Sequence, residues 1–217
     1  MSLPTLYDYP ASANCFKVRL LLAQLGLEYE RVSVDIFDGG TLTDEFARLN
    51  PFRSTPVLVL ADGSPLIESN AILWYLARGT RYLPEDPVAE AEVVRWLIYE
   101  QADLVPAIGG LRFRLVTGRF AVDSPEAETR RRNAYEVLGV LDEHLAAREF
   151  LVADRYTIAD LSLFAYSHTA AEAGLDTRPY ARFNDWLARV VEQPGFVNDL
   201  EPYPPNASLQ VGRSMYG

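Results

Sequence analysis

Two spacings of apolar residues alternate in the first third of the chain and predict an ordered series of strands and helices. Short runs of alternating or continuous apolar residues predict strands, and apolar residues three to four positions apart predict helices. In chain order the predicted elements are a strand over 5–9, a helix over 15–25, a strand over 29–34, a short helix over 41–49, two strands on either side of the turn at Asp62-Gly63, and a helix from residue 69. This order predicts a mixed α/β domain whose first two strands are parallel and joined by a right-handed crossover.

Beyond residue 88 the periodic stretches are all helical. The predicted helices cover residues 89–104, 111–115, 124–147 and 180–193, and another begins at Thr157. Pro106 and the pair Gly109-Gly110 interrupt the pattern between the first two, which predicts a kink or a break. Thr157-Ile158-Ala159-Asp160 predicts a helix start with a capping box, and we interpret Asp160 as a folding residue and not a catalytic one.

Residues 79–87 contain Gly and Pro and carry no periodicity, so they predict a domain boundary. The expected organisation is an α/β domain over 1–78, a linker over 79–87, an all-α domain over 88–200 and an extended tail over 201–217. The chain from Phe196 onward is rich in Pro, Gly and polar residues. We expect it either to be disordered or to lie across the surface.

The composition argues against several functional classes. The chain has 217 residues, a formal net charge of −10 and one cysteine. The negative charge argues against a nucleic-acid surface, and a single cysteine allows no internal disulfide, which fits a reducing compartment. Met1 to Pro4 lack the basic and apolar regions of a signal peptide, and no apolar run is long enough to span a membrane. We therefore expect a cytoplasmic protein with no membrane or nucleic-acid partner.

Three common kinds of catalytic site have no support in the sequence. There is no Gly-x-Ser-x-Gly motif, and His144 and His168 lie in predicted helices, which argues against a serine hydrolase. One cysteine and two distant histidines give no metal-ligand spacing, and no Gly-x-Gly-x-x-Gly follows a strand. We therefore predict neither a metal site nor a dinucleotide site.

The candidate binding chemistry lies around Pro56 and Ser69. Pro56 precedes an apolar strand, at a position where its missing N–H costs no hydrogen bond of the sheet. Ser69 is a predicted N-cap of the following helix. Glu68 and Ser69 are thereby placed at a helix N-terminus, where backbone N–H groups and the helix dipole favour an anion.

This arrangement resembles the glutathione-binding half of glutathione S-transferases. Three further motifs resemble bacterial members of that family: Asn-Cys-Phe-Lys-Val-Arg-Leu-Leu-Leu-Ala at 14–23, Leu-Asn-Pro at 49–51 and Glu-Ser-Asn-Ala-Ile-Leu-Trp-Tyr-Leu at 68–76. The resemblance covers nearly the whole chain. It implies a thioredoxin-like N-terminal domain, an all-α C-terminal helical bundle, glutathione as co-substrate and a homodimer.

The resemblance also implies which residues hold glutathione. In the family the proline is cis, the residue after it pairs its backbone with the cysteinyl part, and an acid-serine pair holds the γ-glutamyl end. The candidate glutathione ligands are therefore Arg53, Thr55, Pro56, Val57, Glu68 and Ser69. Glu68 can take the ammonium and Ser69 the carboxylate. Many relatives carry Gly and then Lys or Arg before the proline, where this chain has Arg53-Ser54-Thr55, so Arg53 would reach the glycyl carboxylate from a neighbouring position.

Activation of the glutathione thiol is assigned to Ser12 and Asn14, at the junction of a loop and the first helix. The thiolate is the nucleophile, and both a donor aimed at the sulfur and a helix N-terminus favour the charged form. By resemblance, Ser12 stands where serine-type members, such as the zeta class, place their catalytic serine. Asn14 stands where some members carry an asparagine or cysteine that faces the thiol. Cys15 completes a Cys-x-x-Cys spacing whose first cysteine is replaced, but we favour a buried packing role for it.

We therefore expect a glutathione transferase with a detoxification role, which adds the glutathione thiolate to a small electrophile. The electrophile site is expected between the two halves, with four aromatic candidates: Tyr9, Tyr99, Phe113 and Phe120. The alternatives within the enzymes are a glutathione-dependent isomerase and a disulfide reductase or peroxidase. From another class, the alternative is a non-catalytic glutathione-transferase-like binding protein.

Overall fold

The computed structural model describes residues 2–209, which fold into two compact units. The first unit contains the chain up to Leu76 together with the residues from Val197 onward, and the second contains Ala77–Phe196. The described part of the predicted tail, residues 201–209, therefore belongs to the first unit. Residues 210–217 of that tail lie outside the described residues.

The first unit is built on a mixed four-stranded sheet with the strand order β2-β1-β3-β4. The strands are β1 (Thr5–Asp8), β2 (Glu30–Ser33), β3 (Val57–Val59) and β4 (Pro65–Ile67). β1 and β2 are parallel, while β3 runs antiparallel to both β1 and β4. The helices of this part of the chain are α1 (Ala13–Leu25), α2 (Asp44–Leu49) and α3 (Ser69–Ala77), and a 3₁₀ turn spans Gly40–Leu42.

Apolar side chains pack against both faces of the sheet. Leu58 belongs to a buried cluster that includes residues of α1 and α3, whereas its neighbour Val57 packs with Phe46 of α2 and with Val34. Successive strand residues point to opposite faces, so the apolar run of β3 is buried on both sides. Burying each such side chain contributes roughly 1.5–3 kcal/mol, and this packing fixes α1 and α3 against one face.

The ends of α1 follow the local sequence closely. Ser12 is the N-cap, and its side chain accepts a hydrogen bond from Cys15 N. Gly26 ends the helix at φ +64°, a left-handed conformation that glycine adopts without steric cost, so the predicted stop at this residue is confirmed.

The second unit is helical. Its helices are α4 (Pro87–Tyr99), α5 (Gly110–Val116), α6 (Pro125–His144), α7 (Ile158–Ser167) and α8 (Ala181–Val191), and a 3₁₀ turn spans Leu145–Ala147. Together with the mixed sheet of the first unit, this confirms the predicted fold class, an α/β thioredoxin-like N-terminal domain with an all-α C-terminal bundle. No helix within residues 2–209 is both long enough and apolar enough to cross a membrane.

Of the two predicted alternatives between α4 and α5, a kink or a break, the break is wrong. A π-helix over Glu100–Gly109 joins the two helices, and Pro106 lies inside it. Proline removes one backbone donor and clashes with the preceding turn of an α-helix. A π-helix bonds each residue to the fifth one along, so the wider turn keeps the chain helical where an α-helix would be interrupted.

Asp160 forms the predicted capping box at the start of α7. It is fully buried, and its carboxylate accepts hydrogen bonds from Thr157 N at 2.9 Å, Leu151 N at 2.9 Å and Trp186 Nε1 at 3.0 Å. Burial raises the pKa of Asp160 to about 6, although these hydrogen bonds act in the opposite direction. Its contacts tie three segments of the second unit together, which supports the interpretation of Asp160 as a folding residue.

Candidate functional site

Ser12 lies at the junction between β1 and α1 and is partly exposed. Its Oγ accepts a hydrogen bond from Cys15 N at 3.3 Å, and its side chain also hydrogen-bonds the thiol of Cys15. A hydroxyl has one proton to donate and two acceptor sites. Capping therefore uses an acceptor site, and the O–H of Ser12 can donate to an anion at the start of α1 by exchanging the sulfur of Cys15 for it.

A chain of hydrogen bonds links the start of α1 to the start of α3. Ser69 Oγ donates to Asn14 Oδ1 at 3.2 Å, and Lys17 Nζ donates to Ser69 Oγ and to Asn70 Oδ1 at 3.4 Å each. Lys17 and Ser69 are buried, whereas Asn14 and Asn70 are partly exposed. The structure thus brings Asn14, a predicted activator of the thiol, into contact with Ser69, a predicted ligand of glutathione.

Lys17 and Asn70 were missed by the sequence analysis. One signal was available for Lys17, because it is the only lysine of the chain and it stands inside the apolar pattern of α1. A buried ammonium is costly unless it is hydrogen-bonded. Its position beside Ser69 adds a positive charge next to the residue predicted to hold a carboxylate.

Glu68 directly precedes α3 in a strained backbone conformation. Its φ is +68°, which side-chain-bearing residues rarely adopt. α3 begins at Ser69 itself, so Glu68 holds the position that was predicted for the cap. The Glu68 side chain is exposed, and its carboxylate has no hydrogen-bond or ion-pair partner within the described part of the chain. Strain of this kind concentrates at ligand-binding sites, which makes the free carboxylate a candidate ligand.

The segment before β3 is organised by Asn50 of the Leu-Asn-Pro motif. Asn50 is fully buried, and its Nδ2 donates to Ser54 O at 2.7 Å. The Thr55-Pro56 peptide bond is cis, as predicted. The side chain of Thr55 hydrogen-bonds the thiol of Cys15, and Val57 then opens β3. Thr55, Pro56 and Val57 therefore lie beside the start of α1.

Arg53 bonds to the backbone of residues 41–43, a contact that its predicted role as a glutathione ligand did not require. Its φ is +53°, and its Nη1 donates to the backbone carbonyls of Thr41, Leu42 and Thr43. The guanidinium also lies 3.9 Å from the carboxylate of Asp44. Arg53 therefore holds the 41–43 segment in place, and its role at the glycyl carboxylate stays a prediction.

Cys15 is fully buried, as predicted, and this supports its interpretation as a packing residue. Tyr9 N donates a hydrogen bond to its Sγ at 3.3 Å. Burial, and then the nearby carboxylate of Asp8, raise the pKa of the Cys15 thiol to about 11. Reactive cysteines have lowered pKa values and are accessible, so Cys15 has the properties of an inert thiol.

Buried charges support the loop that carries Ser12. Arg19 Nη1 lies 2.5 Å from Asp8 Oδ1, and Arg19 Nε donates to Asp199 Oδ2 at 2.8 Å, with both Arg19 and Asp8 buried. Glu201 N donates to Pro10 O at 3.2 Å. We expected the chain from Phe196 onward either to be disordered or to lie across the surface. Its described residues lie across the first unit, which is the second of these alternatives. This support was also missed, since Asp199 is 180 residues from Arg19.

The four aromatic candidates for the electrophile site have different surroundings. Tyr9 of the first unit is 4 % exposed, and its hydroxyl has no hydrogen-bond partner within residues 2–209. Burial, and then Asp35, raise its pKa. Tyr99 ends α4, and burial raises its pKa to about 12. Phe113 in α5 and Phe120 after it are partly exposed, and a joint role for these four residues stays a prediction.

Two other features are separate from these residues. A cavity of about 380 Å³ lies beside β2 and α2, and none of the predicted site residues lines it. Within residues 2–209 no three His, Cys, Asp or Glu side chains are grouped so that they could hold a metal ion.

Comparison with known proteins gives matches over both units. The family model described as glutathione S-transferase, N-terminal domain, matches residues 11–78, and the one described as glutathione S-transferase, C-terminal domain, matches residues 104–194. Glutathione S-transferase 3 of Zea mays is 30 % identical over 94 % of this chain and 97 % of its own length. Elongation factor 1-gamma of Artemia salina is 28 % identical over 87 % of this chain, which spans 44 % of that protein.

Solved structures agree with these matches. A glutathione S-transferase from Pseudomonas fluorescens superimposes with a TM-score of 0.88 at 39 % identity, covering 92 % of this chain and 100 % of that one. A glutathione transferase from Pseudomonas putida, solved with one glutathione disulfide bound per subunit, gives a TM-score of 0.81 at 27 % identity, covering 92 % and 91 %. The chain therefore belongs to the glutathione S-transferase family.

Proposed function

We propose that the protein is a glutathione transferase that joins the thiolate of glutathione to a small electrophile, in a detoxification role. One observation carries the proposal: the hydrogen bond of 3.2 Å between Ser69 Oγ and Asn14 Oδ1. It brings the residues proposed to hold glutathione next to those proposed to activate its thiol. The Pseudomonas putida relative solved with glutathione disulfide supports glutathione as the ligand.

Glutathione would be held mainly at its γ-glutamyl end. The exposed carboxylate of Glu68 pairs with the ammonium, and Ser69 with the N-terminus of α3 takes the carboxylate. The ammonium of Lys17, which already donates to Ser69, adds positive charge to this half of the site. The backbone of Val57, after the cis Pro56, pairs with the cysteinyl part, with Thr55 beside it and Arg53 toward the glycyl end.

Ser12 would activate the thiol. Its O–H donates to the sulfur, and the N-terminus of α1 favours the same negative charge, so both lower the pKa of bound glutathione. Asn14 supports this through its amide. The thiol proton passes to solvent, and the thiolate then forms a carbon–sulfur bond with an electrophile for which Tyr9, Tyr99, Phe113 and Phe120 are the candidate ligands. This step either displaces a leaving group, which departs as an anion, or adds the thiolate to a polarised double bond, whose electron pair then takes a proton from solvent.

The alternative functions differ in whether they need Cys15 as a reactive thiol. A disulfide reductase or peroxidase that used a protein thiol would need a reactive Cys15, and its burial and raised pKa argue against that. A glutathione-dependent isomerase needs the same activated glutathione and differs only in its substrate. The match to elongation factor 1-gamma keeps a non-catalytic glutathione-transferase-like protein as the second candidate.

The test is turnover of purified protein with glutathione against a panel of electrophiles, isomerisable substrates and disulfides. We expect conjugation of at least one electrophile, lost in Ser12→Ala and retained in Cys15→Ala. Disulfide reduction that survives in Ser12→Ala but not in Cys15→Ala would contradict the proposal. Glutathione binding without turnover on the whole panel would favour the non-catalytic candidate.

We also infer from the family that the protein is a cytoplasmic homodimer with glutathione and a small electrophile as its partners, and with no nucleic-acid or membrane partner. Light scattering on the purified protein should give twice the mass of the chain, and a monomer at micromolar concentration would contradict this inference.

A further inference from the structure

The cavity beside β2 and α2 is formed by residues of the first unit alone. Its volume of about 380 Å³ is within the range of small-molecule binding sites, about 300–1,000 Å³. The rings of Tyr7 and Phe46 meet edge to face there, with 6.2 Å between their centres. Five apolar or aromatic side chains line the cavity: Tyr7, Val32, Val34, Phe46 and Leu49. The cavity can therefore hold the apolar body of a ligand.

Three carboxylates line the same cavity, and no Lys, Arg or His within residues 2–209 does. They belong to Asp35, Asp38 and Glu45. The side chains of Asp38 and Glu45 are exposed, and neither has a hydrogen-bond or ion-pair partner in the described part of the chain. Arg48 lies three positions after Glu45 on α2 but forms no ion pair with it. The charge of the cavity is therefore negative and suited to a cation from outside the chain.

The carboxylate of Asp35 is held in place at the cavity wall. Its Oδ1 accepts hydrogen bonds from Phe37 N at 2.8 Å and Asp38 N at 3.2 Å, and its Oδ2 accepts one from Asn206 Nδ2 at 2.7 Å. Gly40 closes the same loop, since its N–H donates to Asp35 O at 2.9 Å and a Cβ on Gly40 would lie 2.7 Å from that oxygen. The carboxylate is thus ordered before any ligand binds, which lowers the entropy cost of binding.

A buried hydroxyl near Asp35 lacks a hydrogen-bond partner. It belongs to Tyr9, which is 4 % exposed, and no partner for it lies within residues 2–209. Burial, and then the charge of Asp35, raise the pKa of Tyr9, so the two groups lie close together. Buried polar groups in proteins are normally hydrogen-bonded. This hydroxyl therefore indicates a polar partner from outside the described residues beside Asp35.

We propose that this cavity binds an organic cation, a compound with an apolar body and a terminal ammonium or amidinium group. The body packs against the rings of Tyr7 and Phe46. The cationic group pairs with the carboxylates of Asp35, Asp38 and Glu45. Charge-assisted hydrogen bonds to carboxylates and the contact of a cation with an aromatic face both favour such a ligand. None of the predicted glutathione ligands lines the cavity, so this site is distinct from the proposed glutathione site.

The test compares three ligands that share a phenyl body and differ in charge, in the absence of glutathione. 2-Phenylethylamine is a cation at neutral pH, 2-phenylethanol is uncharged and 3-phenylpropanoate is an anion. The chemical shifts of backbone amides in NMR spectra of the full-length protein give the affinity of each ligand and the residues at which it binds. We expect the amine to shift the amides of the cavity residues, the alcohol to bind at least about threefold more weakly, and the anion to bind more weakly still.

Two variants each remove one of the carboxylates that lack a partner, Asp38→Asn and Glu45→Gln. Each should weaken binding of the amine by about two- to fivefold and the double variant by about tenfold, because pairs of exposed charges contribute modestly. Binding of the alcohol should stay within about twofold. Glu30→Gln is the matched control, since Glu30 is an exposed carboxylate of β2 that does not line the cavity, and it should leave the affinity for the amine unchanged.

Equal affinities for the three ligands, or shifts by the amine that leave the cavity residues unaffected up to its solubility limit, would overturn the proposal. An unchanged affinity for the amine in the double variant, or the same loss in Glu30→Gln, would also overturn it. Calorimetry with glutathione checks that the variants are otherwise intact. Asp38→Asn and Glu45→Gln should bind glutathione as the unaltered protein does, and a parallel loss of affinity for glutathione and for the amine would contradict a separate cation site.

Discussion

Replacing Glu68 by glycine should stabilise the fold while it weakens glutathione binding. Glu68 has φ +68°, and a left-handed conformation costs a side-chain-bearing residue of order 1–2 kcal/mol. Glycine adopts this conformation freely but loses about 0.5–1 kcal/mol more chain entropy on folding. The net gain in the free energy of unfolding should be about 0.5–1 kcal/mol, measured as a higher urea midpoint by circular dichroism.

The same substitution removes the carboxylate that we assign to the ammonium of glutathione. A hydrogen bond to a charged group contributes about 1.5–3 kcal/mol, so the dissociation constant measured by calorimetry should rise at least about tenfold. Glu68→Gln should lose affinity to a similar extent without the gain in stability, because it keeps the side chain and the strain but not the charge.

The control for the backbone effect is Ala153→Gly, since Ala153 of the second unit has φ +52°. This variant should gain stability and bind glutathione with unchanged affinity. If Glu68→Gln also binds glutathione as the unaltered protein does, the assignment of Glu68 is wrong. The strained conformation would then need another explanation.

Three buried polar residues give four further predictions. Asp160→Asn should lower the free energy of unfolding by about 1–3 kcal/mol, because an amide cannot accept all the hydrogen bonds that Asp160 accepts, and an unchanged urea midpoint would contradict this. Since burial raises the pKa of Asp160 from 3.8 to about 6, the folded state binds its proton more tightly, so the stability of the unaltered protein relative to Asp160→Asn should fall as the pH rises from 4 to 6. The pKa of Cys15 rises from 9.0 to about 11, so at pH 8 the folded protein should contain about 100-fold less Cys15 thiolate than the unfolded chain. Cys15 should therefore react correspondingly slowly with iodoacetamide until urea unfolds the chain, and rapid alkylation of the folded protein would refute its burial. Lys17→Met should weaken glutathione binding about tenfold by calorimetry, since it removes a charge beside Ser69, and unchanged affinity would separate Lys17 from the site.

The sequence predicts the elements whose signals are local. The stop of α1 at Gly26, the start of α6 at Ser124-Pro125 and the capping box at Asp160 each depend on residues within one helical turn. The cis bond at Pro56 was expected only through the resemblance to the family, because no local rule separates this proline from a trans one.

Other features depend on contacts that periodicity does not encode. Pro106 and Gly109-Gly110 interrupt the apolar pattern, and nothing local in that pattern shows that a π-helix carries the chain through Pro106. The contact of Lys17 with Ser69 joins residues 52 positions apart, and that of Arg19 with Asp199 joins residues 180 positions apart. Such pairs are set by how the elements pack, which is why Lys17 and Asp199 were missed although Ser12, Asn14 and Ser69 were predicted as site residues.

The central claim is that the hydroxyl of Ser12 lowers the pKa of the thiol of bound glutathione. It is tested most directly by titrating the ultraviolet absorbance of the thiolate against pH with glutathione bound, in the unaltered protein and in Ser12→Ala, Asn14→Ala and Cys15→Ala. A hydrogen bond to a charged group contributes about 1.5–3 kcal/mol and one pKa unit corresponds to about 1.4 kcal/mol, so Ser12→Ala should raise the pKa of the bound thiol by about one to two. Asn14→Ala should raise it by less, and Cys15→Ala should leave it in place. A titration curve that Ser12→Ala leaves unchanged, with glutathione still bound, would contradict the account.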